Sequence, residues 1–189
     1  MSSITAILPL AEGTEEMEAV ILIDVLRRAD IEVQVLGLDE NPTVRASHGV
    51  LLGCDGQLTG EEDADILLLP GGAEGAKRLA EDTKVQAMLQ RFAKEEKWIA
   101  AICAAPIALA AAGLLEGRTV TSHPSVQKKV EAAGAKYTES TVEVDLEGKV
   151  VTGRGPGAAF DFALDIVGLL MGAAKAAEVR RPMMFAIDG

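Results

Sequence analysis

Trp98-Ile-Ala-Ala-Ile-Cys-Ala-Ala-Pro-Ile-Ala-Leu-Ala-Ala-Ala-Gly113 is the stretch that decides how this chain folds and where its chemistry lies. Ile99 to Ile102 is a short apolar strand, Cys103 ends it, and an alanine-rich helix closed by Gly113 follows at once. Alanine is the strongest helix former, and a glycine just past the last turn ends a helix cleanly. A strand that enters a helix through one residue turns that side chain outward at the end of a sheet. It also presents the free N–H groups of the helix start, where the dipole favours an anion. A thiol so placed is expected to ionise more easily than a free cysteine, whose pKa is roughly 8.5.

The same strand-then-helix alternation extends both ways. Ile4 to Leu10 is a short apolar strand, with Thr14 as N-cap and Glu15 and Glu16 in the first turn of a helix running to about Ala29. Ile31 to Leu38 has strand character, and residues 41–60 read as a small hairpin excursion. Ile66 to Pro70 is a buried strand followed by the Gly71-Gly72 turn and a short helix near Glu74 to Leu79; Val85 to Glu96 is an amphipathic helix. Beyond Gly113, Arg118 to Thr121 reads as a strand and Ser125 to Ala133 as a helix closed by Gly134. Thr141 to Leu146 and Val150 to Gly153 form an antiparallel pair, Pro156-Gly157 starts a helix to about Met171, and a last helix ends near Arg181-Pro182. Repeated units of this kind imply an α/β fold with a mostly parallel sheet covered on both faces. Met17, Ala19 to Ile23, Val25 and Leu26 make the first helix apolar on nearly all sides. A second subunit is expected to cover what the sheet does not, giving a homodimer; a helix sandwiched within the monomer is the competing reading.

At 189 residues, 49% apolar and 25% charged, residues 1–189 read as one globular domain. The net charge of −11 and 3% aromatic content exclude a phosphate-neutralising or base-stacking surface, so nucleic acid is not an expected partner. No apolar run approaches the roughly 20 residues of a membrane span. Met1-Ser-Ser-Ile-Thr5 lacks the features of a signal peptide, so a cytoplasmic protein without a disulfide framework is expected.

Ligands of such sheets gather beyond the carboxyl ends of strands. Four of these ends carry reactive residues: Glu12 to Glu18, Gly71-Gly72, Cys103, and His123-Pro124. Glu18, among apolar neighbours, is expected to be protonated and to donate a hydrogen bond to the Cys103 thiolate, the two titrating as one unit. Gly71-Gly72 is a tight turn that also lets amides approach a ligand, with the N–H of Ala104 completing an oxyanion hole. His123 suits general acid/base work near neutral pH, against the alternative of a surface or capping histidine. His48 is a weaker candidate of the same kind, and Cys54, in a turn, is an incidental thiol. Neither Gly71-Gly72 nor Gly153-Arg-Gly-Pro-Gly157 has dinucleotide-binding spacing. Two cysteines and two histidines match no metal-ligand pattern, so neither metal nor cofactor is expected.

Together Gly13-Thr-Glu-Glu-Met-Glu-Ala19, Asp24-Val-Leu-Arg-Arg28, Leu69-Pro-Gly-Gly72, Ala100-Ala-Ile-Cys-Ala-Ala-Pro106, Val120-Thr-Ser-His-Pro124 and Gly153-Arg-Gly-Pro-Gly157 resemble the ThiJ/PfpI superfamily, in the branch of DJ-one and its bacterial relatives. The resemblance spans almost the whole chain. It implies a flavodoxin-like, doubly wound sandwich and a homodimer. Cys103 falls on the family's nucleophilic, oxidation-prone cysteine, Glu18 on its protonated partner, His123 on its nearby histidine, and Gly72 with Ala104 on its amide cradle. Relatives are described as cofactor-free glyoxalases acting on methylglyoxal, as deglycases of glycated adducts, and as oxidative-stress proteins with chaperone activity. The chain departs from that pattern at His48, where the branch usually has an arginine that helps bind anions. It also carries Ala104 where the protease-like branch has a histidine, which argues against a peptidase or glutamine amidotransferase. The expected function is a glyoxalase or deglycase, a hydro-lyase or hydrolase; the alternative is a redox sensor or stress chaperone switched by oxidation of Cys103.

Overall fold

Apolar runs four to six residues long, punctuated by glycine and acidic turns, build the centre of the molecule. The computed structural model describes residues 3–185; Met1 and Ser2, which head the segment read for a signal peptide, lie outside them. In chain order the elements are β1 (Thr5–Leu10), α1 (Glu16–Arg28), β2 (Glu32–Gly37), β3 (Thr43–Arg45), β4 (Leu51–Gly53), β5 (Gly56–Gln57), β6 (Ile66–Leu69), α2 (Ala73–Glu81) and α3 (Thr83–Lys94). There follow β7 (Trp98–Ile102), α4 (Pro106–Ala111), β8 (Thr119–Val120), α5 (Gln127–Ala132), β9 (Lys136–Tyr137), β10 (Val142–Asp145), β11 (Val150–Gly153), α6 (Ala159–Met171) and α7 (Ala173–Arg180).

Seven strands form the main sheet in the order β10-β11-β7-β6-β1-β2-β5, parallel throughout except for the β10–β11 pair. The central strands β6 and β7 are buried along almost their whole length, which is why they read as continuous apolar runs rather than alternating ones. Helix α1 packs on α6 and α6 on α7, while α2 packs on α3 and α4. The parallel α/β architecture is thus the expected one. The 41–60 excursion is the antiparallel pair β3–β4, as read, but β5 was not anticipated; it adds a two-residue edge strand beside β2.

Three local readings need correction. The cap of α1 is Glu15, whose side chain accepts the N–H of Glu18 at 2.8 Å; the Thr14 hydroxyl instead accepts from Ala11 N–H. The segment read as a strand at Arg118 to Thr121 shortens to β8 and leaves the main sheet, pairing with β9 in a separate parallel ribbon. The helix after Cys103 does not follow at once: a turn over residues 103–105 intervenes, and Pro106 begins a helix of only six residues. On α1, Ala19, Leu22, Val25 and Leu26 are fully buried, whereas Met17 is 54% and Val20 47% exposed. The chain therefore does not sandwich this helix within itself.

Candidate active site

The parallel strands β1, β6 and β7 deliver three connections to one edge of the sheet, and backbone hydrogen bonds lock them together. Glu15 N–H donates to Gly71 C=O at 3.0 Å, joining the start of α1 to the β6 turn. Cys103 N–H donates to Gly153 C=O, and His123 N–H to Cys103 C=O, each at 2.8 Å. Cys103 is held at φ +63°, the left-handed region that a side-chain-bearing residue rarely occupies. The left-handed turn aims a buried thiol at the first turn of α1.

Glu18 stands there, fully buried. Among the described residues its Oε2 accepts the Gly71 N–H at 2.8 Å, and Oε1 is buried without a hydrogen-bond partner. The absence of a side chain at Gly71 is what permits this approach: a Cβ there would lie 2.6 Å from both Cys103 Cβ and Glu18 Oε2. Gly72, at φ +90°, would drive a Cβ into the Gly13 carbonyl. The backbone N–H groups of Gly72 and Ala104 act on the Cys103 sulfur in the sense that favours its charged form.

Burial raises the Glu18 carboxyl to about 7, with the charge of Glu15 adding to the rise and the Cys103 and Gly71 hydrogen bonds opposing it. For Cys103, burial, the Glu18 charge and the hydrogen bond from sulfur to Glu18 push the thiol up to about 12 against the pull of the two amides. This reverses the sequence expectation of a lowered thiol pKa. The short helix and the intervening turn supply too little field to overcome desolvation. Two acids in contact in a dry compartment cannot both ionise, so they titrate as a pair. Part of the rise in the thiol comes from the charge of an ionised Glu18 beside it. Cys54 has no such setting: half-buried, its thiol is raised by burial and by Asp55.

The two histidines are placed differently from each other. Among the described residues the exposed His123 ring bonds only to Ser125: Nδ1 lies 2.8 Å from its hydroxyl and accepts its N–H at 3.2 Å, leaving Nε2 to carry the proton of the neutral ring. The ring lines an open cleft of about 370 Å³ with Thr141, Arg154 and Gly155 to Ala158. His48 is exposed and lies against the start of α1. Its Nδ1 is 3.2 Å from Glu16 Oε2 and its N–H donates to Glu16 Oε1 at 2.9 Å. The polar atoms of Glu15, Glu16 and His48 lie within 4.8 Å of one another, a mixed carboxylate–imidazole group. Sequence spacing considered only cysteines and histidines as ligands and so missed it. Glu16, which sequence reasoning did not single out, is buried; burial works to raise its pKa, but its own N–H, the Ser47 hydroxyl, and the His48 ring and N–H outweigh that and bring it to about 2.

A mostly parallel α/β sheet with a cysteine on a left-handed turn, opposed by a buried carboxyl, defines a class of α/β proteins built around one buried cysteine. The comparisons narrow that class: residues 4–169 match the DJ-1/PfpI family, and the chain belongs to it. It is 45% identical to the Parkinson disease protein 7 homolog of Danio rerio over 190 residues, 97% of this chain and 98% of that one. It is 35% identical to the glutathione-independent glyoxalase DJR-1.2 of Caenorhabditis elegans over 177 residues, 93% of this chain and 92% of that one. The crystal structure of Drosophila melanogaster DJ-1beta superposes with a TM-score of 0.92 at 38% identity, covering 98% of this chain and all of that one. Among the described residues no helix is long and apolar enough to cross a membrane.

Proposed function

We propose that the chain is a cofactor-independent, cysteine-dependent glyoxalase or deglycase, acting on methylglyoxal and related α-oxoaldehydes or their early adducts. The observation that carries this reading is the fully buried Glu18 carboxyl set against Cys103 at the Gly71 turn, where an added Cβ would lie 2.6 Å from both Glu18 Oε2 and Cys103 Cβ. When the pair's single proton sits on Glu18, it can be donated to the sulfur. The thiolate then has three donors: Glu18 and the amides of Gly72 and Ala104. The glyoxalase name of the nematode relative supports the substrate class.

In this reaction the thiolate attacks the aldehyde carbon, forming a C–S bond and a hemithioacetal whose oxygen takes up the Glu18 proton beside the amide cradle. The resulting Glu18 carboxylate removes the proton from that carbon and returns it at the neighbouring one, while the hemithioacetal hydroxyl proton passes to the ketone oxygen, so the ketone becomes an alcohol and the hemithioacetal a thioester. A carboxyl near 7 is suited to both directions of transfer. Water then cleaves the C–S bond, releasing lactate and restoring the thiol, so one water is consumed per methylglyoxal. His123, whose ring points to Ser125 and the cleft, is assigned to the proton traffic of this last step.

Purified protein alone should convert methylglyoxal to lactate, and Cys103→Ala should abolish conversion. Turnover that persists in Cys103→Ala rules the proposal out. The second reading, a redox sensor or stress chaperone, draws on the same thiol, which would be oxidised to sulfenic and then sulfinic acid. A single two-oxygen adduct on Cys103 after mild peroxide, together with absent aldehyde turnover, would favour it. We also propose a cytoplasmic homodimer joined through the exposed Met17 and Val20 face of α1, tested by light scattering of the wild type and a Met17→Glu/Val20→Glu variant.

A further inference from the structure

We propose that Glu15, Glu16 and His48 form a binding site for one divalent first-row transition metal ion, separate from the thiol. Two observations carry it independently. First, the three donor atoms already converge: His48 Nδ1 is 3.2 Å from Glu16 Oε2 and 4.0 Å from Glu15 Oε1, all within a 4.8 Å set. Two ligands on one tetrahedral Zn²⁺ at its usual bond lengths stand about 3.3 Å apart. One of the three edges therefore has that spacing already, the His48–Glu15 edge must close by under about 1 Å, and the two carboxylates lie within 4.8 Å of each other. The His48 side chain, 75% exposed on a turn, is free to make that movement.

Second, Glu15 Oε1 is fully buried with no hydrogen-bond partner, although the Glu15 side chain is only 7% exposed. Its other oxygen is committed to the Glu18 N–H as the cap of α1, which holds Oε1 toward His48. A buried carboxylate oxygen without a donor is costly, and a cation is the partner that best removes that cost. The surroundings complete the arrangement. Glu16 Oε1 is oriented by the His48 N–H at 2.9 Å and Oε2 by the Ser47 hydroxyl at 2.8 Å, outer contacts of the kind that hold ligands in place. Two carboxylates neutralise a dication. An imidazole with carboxylate oxygens suits Zn²⁺ and its neighbours in the series better than Mg²⁺ or Ca²⁺. Such an ion would clamp the β3–β4 hairpin to the first turn of α1.

The test is titration of metal-free protein with Zn²⁺, followed by calorimetry and by thermal melting. It uses a Cys54→Ser/Cys103→Ser background so that thiols cannot bind the ion. The expected result is one Zn²⁺ per chain with a rise in melting temperature. His48→Ala, a change at an exposed turn, should weaken binding by about tenfold or more and abolish that rise. Glu16→Gln should do the same. Binding unaltered by His48→Ala, binding seen only when the thiols are present, or no binding at all would each overturn the proposal.

Discussion

Glu16 and Glu18 stand two residues apart at the start of one helix, both are buried, and their carboxyls are driven in opposite directions, to about 2 and about 7. The helix geometry explains the split, because two residues turn roughly 200° and place the side chains on opposite faces. Glu16 meets a hairpin that offers a hydroxyl, an imidazole and an N–H. Glu18 meets the closed end of the sheet, with one amide and a sulfur that competes for the same proton. Burial is common to both. The supply of donors decides which carboxyl keeps its charge.

The largest expected effect separates the two completely. Glu18→Gln should lower methylglyoxal turnover by about 10²–10⁴-fold, the usual worth of a positioned acid/base. The same change should stabilise the fold at pH 8. A carboxyl raised from its ordinary 4.5 to about 7 favours folding most below pH 4.5, and that contribution is lost as pH rises through 7. At about 1.4 kcal/mol per pH unit the penalty above pH 7 is about 3 kcal/mol. Melting curves across pH 4 to 8 should therefore be flatter and end higher in the variant. Next, Gly71→Ala should remove activity and cost about 1–3 kcal/mol, since its Cβ intrudes on Cys103 and Glu18 while leaving Glu16 untouched. Urea melts and aldehyde kinetics on the same sample check both.

Glu16→Gln should behave oppositely to Glu18→Gln, destabilising the protein by about 1–2 kcal/mol at neutral pH through lost charged hydrogen bonds. The Glu16 contribution is present above pH 4.5 and lost as pH falls toward 2, so wild type and variant should converge in acid melts. Smallest of all, His48→Ala in the absence of metal should cost no more than about 0.5–1 kcal/mol, because the ring is largely solvated. A larger loss there would mean that the hairpin is anchored by His48 itself.

The sequence carried the strands and the thiol turn because burial leaves a direct trace: Ile66-Leu-Leu-Leu69 and Trp98 to Ile102 are apolar throughout and are followed by Pro70-Gly-Gly72 and by Cys103. It carried the Cys103–Glu18 pairing through the apolar neighbours of Glu18 and the convergence of strand ends, and the family resemblance pointed to the same pair. The direction of the thiol's titration was misread. Dipole and amides can be inferred from a strand-to-helix turn, but the depth of burial is a property of the assembled sheet. Pro106 did carry a signal for the late helix start, as proline favours the first helical position. Glu15 as cap and the Glu15–Glu16–His48 group were not legible, because glutamate is not a favoured cap and the hairpin that brings His48 is 32 residues away along the chain. β5 is two residues long without an apolar side chain, too little for any periodicity to register.

The left-handed backbone at Cys103 has a consequence for anyone engineering this protein. That conformation belongs to glycine, and a residue bearing a side chain there gives up about 1 kcal/mol or more. A library screened for heat resistance alone will therefore discard the sulfur at position 103 early, enriching sturdy proteins that have lost their reactive group. Selection for robustness has to be coupled to a thiol-dependent readout from its first round.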